Sequence, residues 1–459
     1  MLVLTIAWFW VVSAHRIHDA PYVKFAYAFV TGCGDFEHFY WAGAAMRAGT
    51  DIYRSGVGGY IYPPLIAALY SPLSRFSVQT AAWVALVCNL GLVLACAWVG
   101  SKEVLRRMDI AISNHNVIMI SAVATLLAAT RLRGEVQMWQ TNLLLMLGVL
   151  LALRFLDRRP LIAGLCLGFA INIKYLPLVY LPYLMLRRRY AAAASTLVGT
   201  ATFALAPALI SGWQANLDAL RVAASGVMHL VGIAVAVPES ANIDPITAGH
   251  SLSITSGIAR VLGPGADPAL AVRLGLACAG LFALLIWGVY RLHRMPLFRW
   301  PDAKAQRDSP YSAMVAVEWM SLMALALAFS PQTNPRHTSL LFMAYLPLAA
   351  MLCVPVPAGA GRKAALVATL VVTLGFMLPP HLPAFAPETT WWLGMGGPGW
   401  CMAVLAPLMA NAAMHYRAPE IRRVAIARVP ATAWPPRRGG FRIGAKAEVQ
   451  NQLDSNLIS

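Results

Sequence analysis

Long apolar runs separated by short polar segments recur along almost the whole chain. A helix that crosses a bilayer needs about 20 mostly apolar residues, and many of these runs approach that length. The pattern therefore predicts an all-α integral membrane protein. The predicted membrane helices lie near residues 1–14, 78–99, 115–130, 140–154, 192–211, 270–290, 313–330, 338–356, 364–380 and 392–415.

Two further segments do not have the length of a simple span. Residues 63–74 predict a short helix opened by two prolines, since proline fits the first helical turn. Residues 161–186 are too long for one span and too short for two, and Lys174 and Pro177 interrupt them. They predict a pair of half-helices, because broken helices are tolerated in a membrane where they line a cavity.

The composition agrees with a membrane location, since 59% of the residues are hydrophobic and only 12% are charged. Soluble domains carry about 25% charged residues. A net charge of +17 would suit nucleic acid, but Lys and Arg cluster between the apolar runs, so nucleic acid is excluded as a partner. The seven cysteines form no CxxC pair, which argues against a zinc site and a disulfide framework. We predict no metal and no cofactor.

Basic clusters fix the predicted orientation. With the N-terminus inside, roughly two thirds of the 36 Lys and Arg residues fall on the cytoplasmic side, as the positive-inside rule requires. We therefore predict a multi-pass protein of the cell (inner) membrane. Residues 1–416 form its membrane domain, and residues 417–459 form a basic, disordered cytoplasmic tail attracted to the lipid bilayer.

Polar and aromatic side chains gather in three segments on the predicted non-cytoplasmic side. The first follows the first helix and contains Asp35, Glu37, His38, Tyr40 and Tyr62. A carboxylate among aromatic rings suits a sugar site, because partial burial makes a carboxylate a better general base. The alternative is an interfacial aromatic belt in which Asp35 only caps the following helix.

The other two segments also join predicted spans. Gln140 and Asn142 open the helix at 140–154, where their amides suit hydroxyl or phosphate binding or simply cap the helix. Arg336 and His337 lie between two later spans. Arginine binds phosphate through its bidentate fork, whereas a single histidine is more often structural.

Lys174 is the sharpest single candidate, because an ionisable residue inside an apolar run costs at least about 2.5 kcal/mol and indicates a functional site. The competing explanation is that its long side chain reaches the interface. Ser251 lies in a long polar loop between residues 212 and 268, and ordered loops of that length are usually functional.

These motifs together resemble the polyprenol-phosphate-dependent mannosyltransferases of glycosyltransferase family 87, which belong to the GT-C superfamily. The resemblance spans roughly residues 30–340 and keeps the order of the family's motifs. They are Asp35-Phe36, Tyr62-Pro63-Pro64, Gln140-Thr141-Asn142, Lys174-Tyr175-Leu176-Pro177, His250-Ser251-Leu252 and Ser330-Pro331 with His337. Trp139 replaces the family's glycine, and Asn334-Pro335-Arg336 departs from the aromatic that usually precedes the histidine.

The resemblance implies a GT-C-type bundle of about 10–12 transmembrane helices, some of them broken, with short interfacial helices in the first non-cytoplasmic loop. It implies an inverting, metal-independent glycosyltransferase that moves a hexose, in the first instance mannose, from a polyprenyl-phosphate donor to a lipid or glycan acceptor. Asp35 would be the general base, and Lys174, His337 and Arg336 would bind the donor phosphate. The sugar and acceptor would contact Glu37, His38, Tyr40, Tyr62, Gln140, Asn142 and Ser251.

Other functions remain open at this point. A broken helix with a buried lysine is also typical of a transporter or lipid flippase, although the sequence contains no inverted repeat. A polyprenyl-phospho-arabinose-dependent arabinosyltransferase, a membrane ligase or polymerase that moves a whole glycan, and a non-enzymatic assembly subunit are the remaining alternatives.

Overall fold

The computed structural model describes residues 35–56, 59–137, 140–233, 244–265, 267–294, 311–353, 359–377 and 391–416. These residues belong to one compact unit, and their regular elements are all helices. The predicted helix at 1–14 and the predicted tail at 417–459 lie outside the described residues. The division of the chain into two domains therefore stays a prediction.

We number the described α-helices in chain order. They are α1 (Asp35–Ala48), α2 (Pro64–Tyr70), α3 (Val78–Arg107), α4 (Asn114–Leu127), α5 (Ala129–Gln137), α6 (Asn142–Phe155), α7 (Pro160–Ile173), α8 (Tyr180–Leu186), α9 (Tyr190–Leu205), α10 (Ala208–Ser211), α11 (Trp213–Leu230), α12 (Ile254–Leu262), α13 (Pro268–Leu292), α14 (Tyr311–Phe329), α15 (Phe342–Cys353), α16 (Ala360–Met377) and α17 (Gly397–Tyr416). Four 3-10 helices join them, at Ile52–Arg54, Leu73–Arg75, Leu176–Val179 and Pro335–Leu341.

Four helices in the described part of the chain are long and apolar enough to cross a membrane. They are α3, the segment Tyr190–Ser211, α13 and the segment Ser312–Phe329. Helices α4 and α5 form a fifth candidate, bent by 80°. The prediction of an all-α membrane protein is confirmed. Several other predicted spans are shorter: α6 has 14 residues and α15 has 12.

The first segment contains the short helices that the sequence predicts. Helix α2 begins at Pro64. Proline is tolerated in the first turn because the N–H that it lacks would have no acceptor within the helix. Helices α1 and α2 pack together, and Phe39 contacts the rings of Tyr62 and Tyr70 at 4.9 and 5.2 Å between centroids. This aromatic packing holds the start of α1 beside the loop before α2.

The apolar segment at 161–186 is broken, as predicted. Helix α7 ends at Ile173, and Lys174 has an extended backbone with φ −151° and ψ 148°. A 3-10 turn with proline in its first turn and the short helix α8 follow. Proline cannot donate the backbone hydrogen bond that a continuous helix would need here. The break therefore leaves the Lys174 side chain at a helix end.

Helices α7 and α9 pack against each other through small residues. A Cβ atom on Gly168 would lie 2.5 Å from the backbone carbon of Gly199, and one on Gly164 would lie 2.6 Å from the carbonyl oxygen of Ala192. Small residues allow such close approach and are typical of contacts between membrane helices. This contact fixes α7, and with it the helix end that carries Lys174.

Buried ion pairs join the helices at the end of α6 that is farthest from Asn142. Arg107 contacts Glu103 at 2.6 Å within α3 and Asp157 at 2.8 Å, and Asp157 also contacts Arg189 at 2.6 Å. Because α6 rises about 1.5 Å per residue, this cluster lies about 20 Å from the start of that helix.

Another carboxylate, Glu318 of α14, is largely buried and has its own set of partners. It forms an ion pair with Arg187 and accepts hydrogen bonds from Tyr183, at 2.7 Å, and Tyr290. A buried charge is tolerated when it is paired in this way, so Glu318 has a structural explanation.

Candidate functional site

Asp35 begins helix α1, and its carboxylate lies where three segments of the chain meet. Its side chain is 17% exposed. Oδ1 accepts a hydrogen bond from Arg336 Nη1 at 2.6 Å, and Oδ2 accepts one from Tyr62 OH at 3.0 Å and one from Gln140 Nε2. A carboxylate has about four acceptor positions, and donors from the described residues use three of them, which leaves one position on Oδ1 for a further donor.

Lys174 lies on the other side of Gln140. Its side chain is buried, and Nζ donates to Asn142 Oδ1 at 2.7 Å and to Gln140 Oε1 at 3.4 Å. The same ammonium lies 5.2 Å from the centre of the Tyr62 ring. The Gln140 amide therefore links Lys174 to Asp35, since its oxygen accepts from one and its nitrogen donates to the other.

Neither Gln140 nor Asn142 acts as a helix cap through its side chain. Thr141 is the N-cap of α6, and no side-chain hydrogen bond forms there. The side chains on either side of Thr141 point to Asp35 and Lys174 instead. The structure therefore does not support the interpretation that Gln140 and Asn142 simply cap α6.

Glu135 is a member of this cluster that sequence reasoning did not select. It is completely buried and accepts hydrogen bonds from Asn142 Nδ2 at 2.8 Å, Leu143 N at 3.3 Å and Ser339 Oγ at 3.0 Å. A negative charge at a helix N-terminus is favourable, and this carboxylate occupies that position on α6. The signal in the sequence was an acidic residue in the same polar segment as Gln140.

Arg336 and His337 lie in the 3-10 helix Pro335–Leu341, which Asn334 caps by accepting from Arg336 N at 3.1 Å. The Arg336 side chain is 39% exposed, so part of its guanidinium remains accessible while Nη1 contacts Asp35.

His337 is partly buried, and its Nδ1 atom is enclosed with no hydrogen-bond partner among the residues that the structure describes. Burial, and then the positive charges of Lys174 and Arg336, lower the pKa of His337 well below 6.5. Its imidazole is therefore neutral at pH 7 and offers a hydrogen bond rather than a positive charge.

The remaining predicted site residues lie outside this hydrogen-bonded cluster. The Tyr40 hydroxyl donates to the carbonyl oxygen of Phe76 at 2.9 Å, so its polar end is used in packing the first segment. Ser251 is buried, and its Oγ accepts from Thr333 N at 3.0 Å, which joins two loops.

Glu37 and His38 follow Asp35 on helix α1. Residues two apart on a helix do not share a face, so Glu37 points away from the Asp35 side. His38 is three residues on and shares that side, and its Nδ1 atom is enclosed with no hydrogen-bond partner in the described part of the chain.

The cluster contains equal numbers of acidic and basic side chains. Asp35 and Glu135 supply two carboxylates, and Lys174 and Arg336 supply two cations. All four lie close to the start of α6, within one network of hydrogen bonds. Such a site combines an acceptor for a proton with donors for an anionic group.

Comparisons with known proteins agree with the family resemblance that the sequence motifs indicate. The sequence profile named "Glycosyltransferase family 87" matches residues 60–300, more than half of the chain. This range contains Tyr62, Glu135, Gln140 and Lys174, while Asp35 lies before it.

Curated proteins are also similar. One is a "Polyprenol-phosphate-mannose-dependent alpha-(1-2)-phosphatidylinositol mannoside mannosyltransferase" of Mycolicibacterium smegmatis, 26% identical over 316 residues, which are 64% of this chain and 66% of the relative. A phosphatidylinositol pentamannoside mannosyltransferase of the same organism is 29% identical over 229 residues, 50% of each chain. A phosphatidylinositol mannoside mannosyltransferase of Mycobacterium tuberculosis is 28% identical over 279 residues, 53% of this chain and 62% of the relative.

The matches thus span between half and just under two thirds of the length of these relatives. The extent of the family profile, together with the order of the motifs that it contains, settles the classification. This chain belongs to glycosyltransferase family 87.

Proposed function

We propose that this protein transfers a hexose, most simply mannose, from a polyprenyl-phosphate-linked donor to a hydroxyl group of a lipid or glycan acceptor. The observation that carries the proposal is the Gln140 amide, which connects the Asp35 carboxylate to the buried Lys174 ammonium. The names of the relatives, which are polyprenol-phosphate-mannose-dependent mannosyltransferases, support the choice of donor and sugar.

In this proposal Asp35 is the general base. The acceptor hydroxyl donates to the open position on Oδ1 and transfers its proton there while its oxygen forms a bond to the anomeric carbon. The bond between that carbon and the phosphate oxygen breaks, and the polyprenyl phosphate leaves with the electron pair. Attack opposite the leaving group inverts the anomeric configuration.

The leaving phosphate gains negative charge in the transition state, so fixed positive charge beside it lowers the barrier. Lys174 and Arg336 supply that charge from protein side chains, without a metal. Arg336 contacts Asp35 through Nη1 alone, and a guanidinium has five N–H donors. Its other donors can bind phosphate while that contact is kept. Neutral His337 adds a hydrogen bond.

Tyr62 and Gln140 hold the base in position. Both donate to Oδ2 of Asp35, which leaves Oδ1 for the acceptor. Burial, and then the charge of Asp35, raise the pKa of Tyr62 well above 10.0, so its hydroxyl stays a donor. The donor sugar would lie against this pair, with His38 at the edge of the site. We propose no contact to substrate for Tyr40 or Ser251, because their polar atoms are used within the protein.

The proposed site faces the non-cytoplasmic side, and the C-terminal tail faces the cytoplasm. The distribution of Lys and Arg supports this orientation. A topology reporter fused after residue 60 should respond as non-cytoplasmic, and one fused within the tail should respond as cytoplasmic. The reverse pair of signals would refute the orientation.

The decisive experiment is the Asp35→Asn variant, assayed in membranes with polyprenyl-phospho-mannose. General-base catalysis contributes about 100- to 10,000-fold, so we expect a loss of at least 100-fold in transfer at unchanged protein level. Asp51→Asn is the matched control. That carboxylate lies in the same segment but is half exposed, caps a 3-10 turn and forms an exposed ion pair with Arg54.

Full activity of Asp35→Asn would refute the role of base. A panel of polyprenyl-phospho-sugars, including arabinose, tests the choice of sugar in the same assay. Uptake or flipping of the lipid-linked sugar without any transfer would favour the transporter alternative.

A further inference from the structure

Glu135 is a buried carboxylate to which the proposed reaction gives no role. It lies near the end of α5 with no exposed surface, and its three hydrogen-bond donors come from α6 and from the 3-10 helix Pro335–Leu341. A buried carboxylate is costly unless its partners satisfy it. One partner, Ser339, belongs to the 3-10 helix that carries Arg336 and His337, and another, Asn142, accepts a hydrogen bond from Lys174.

The three donors require a carboxylate and not merely a side chain of that shape. Leu143 N donates to Oε1, whereas Asn142 Nδ2 and Ser339 Oγ donate to Oε2. Both oxygens therefore act as acceptors. A glutamine has one acceptor oxygen, and its NH2 group would face a donor.

Glu135 determines which end of the Asn142 amide faces Lys174. Because Asn142 Nδ2 donates to Glu135, its Oδ1 is turned the other way and accepts from Lys174 Nζ at 2.7 Å. With the amide reversed, an NH2 group would face the ammonium, and two donors would meet. The orientation of one amide thus depends on the carboxylate behind it.

The second link runs through Ser339. Its hydroxyl, which donates to Glu135, also lies 3.1 Å from the carbonyl oxygen of Arg336, and Asn142 Nδ2 lies 3.3 Å from the same oxygen. The 3-10 turn that carries Arg336 is therefore fixed to α6 through this carboxylate. Glu135 also provides negative charge close to Lys174, whose side chain is buried.

We infer that Glu135 is a positioning residue: it holds Lys174, through Asn142, and the Arg336 turn, through Ser339, in the arrangement that binds the donor phosphate. This inference rests on the proposed function. Glu135 does not contact the substrate, and it acts only through these neighbours.

The test compares the kinetics of purified Glu135→Gln with wild-type protein in lipid nanodiscs, using polyprenyl-phospho-mannose and a mannosylated lipid acceptor. We expect the KM for the donor to rise about ten-fold while the KM for the acceptor is unchanged. A purely structural role would lower the amount of active protein, and thus the apparent kcat, without changing either KM.

Glu318→Gln is the matched control. Glu318 is a largely buried carboxylate that also has three hydrogen-bonding partners, but it lies away from Lys174 and Arg336. We expect this variant to lower the melting temperature while it leaves the donor KM at the wild-type value.

A double variant distinguishes a positioning role of Glu135 from the effect of losing one of its hydrogen bonds. Glu135→Gln combined with Asn142→Asp exchanges the carboxylate and the amide, so that an acceptor oxygen, now of a carboxylate, still faces Lys174 and an amide lies behind it. We expect the double variant to recover a large part of the donor affinity that Glu135→Gln alone loses. A double variant as poor as, or poorer than, the single one would overturn the inference.

The outcomes distinguish the inference from the function on which it rests. Wild-type protein without transfer activity would refute the proposed function. Active wild-type protein with an unchanged donor KM in Glu135→Gln would refute only the positioning role. Where Glu135→Gln does not accumulate in membranes, Ser339→Ala removes one of the same hydrogen bonds and should raise the donor KM, and an unchanged value there would also refute the role.

Discussion

Replacing Lys174 by methionine removes the ammonium but keeps an unbranched side chain of similar length. Lys174 is 8% exposed, so no solvent replaces the lost charge. A hydrogen bond to a charged group contributes about 1.5–3 kcal/mol, and 1.36 kcal/mol corresponds to a factor of ten. We therefore expect kcat/KM for the polyprenyl-phosphate donor to fall about 10- to 150-fold in Lys174→Met.

The assay is initial-rate transfer from polyprenyl-phospho-mannose by purified protein, with donor concentration varied at saturating acceptor. Lys102→Met is the matched control. Lys102 lies on α3 near the ion-pair cluster, with its ammonium 4.0 Å from the centre of the Trp98 ring. This change also removes one positive charge, and we expect it to leave kcat/KM unchanged.

The outcome that would contradict this reasoning is a Lys174→Met protein with wild-type kcat/KM for the donor. Equal losses in Lys174→Met and Lys102→Met would also contradict it, because a general effect of charge on the membrane protein would then explain both. A lower melting temperature of Lys174→Met is expected in any case, since Asn142 Oδ1 and Gln140 Oε1 lose their donor.

Three further changes test the surroundings of the site. Tyr62→Phe removes one of the donors to Asp35, and we expect kcat to fall about ten-fold with normal protein levels. Because the pKa of His337 is lowered, the native state favours the neutral imidazole, so stability present above about pH 6.5 is lost as the pH falls below it. The melting temperature of His337→Gln should therefore fall less between pH 7 and pH 5 than that of the wild type. Gly168→Leu should lower the melting temperature by several degrees, because its side chain would meet the backbone of Gly199.

Each of these three expectations has a clear contrary result. An unchanged kcat in Tyr62→Phe would show that Gln140 and Arg336 alone hold the base. Parallel pH profiles of melting temperature for His337→Gln and wild type would show that the imidazole titrates normally. Wild-type stability of Gly168→Leu would mean that α7 and α9 separate without cost.

Much of the fold could be predicted because a membrane helix requires a long run of apolar residues, which is visible in the sequence. The break at Lys174 was also predictable, since a charged residue and a proline interrupt one apolar run. The lengths of the helices were harder to predict from the sequence. The sharp bend between α4 and α5 falls at Ala128, just before the apolar run gives way to Thr130 and Arg131, and the sequence there predicts the end of a span but not a bend.

The candidate site was predictable to the extent that its residues lie in polar segments between spans. The structure brings Asp35, Tyr62, Gln140 and Lys174 together, although they are far apart in the sequence. The sequence did not indicate Glu135 as a site residue, because a carboxylate at the end of a helix is usually exposed to solvent. Only the fold shows that this position is closed on all sides.

The ion pairs far from the site also bear on how the chain is inserted during synthesis. Arg107 pairs with Glu103, four residues before it, and Asp157 pairs with Arg189, 32 residues after it. These charges can therefore be neutralised soon after the residues are synthesised. Arg187 and Glu318 are 131 residues apart. An unpaired charge in a bilayer is expensive. The ion pair between Glu318 and Arg187 can therefore form only when helix α14 joins the bundle, which makes the docking of α14 a late step of assembly.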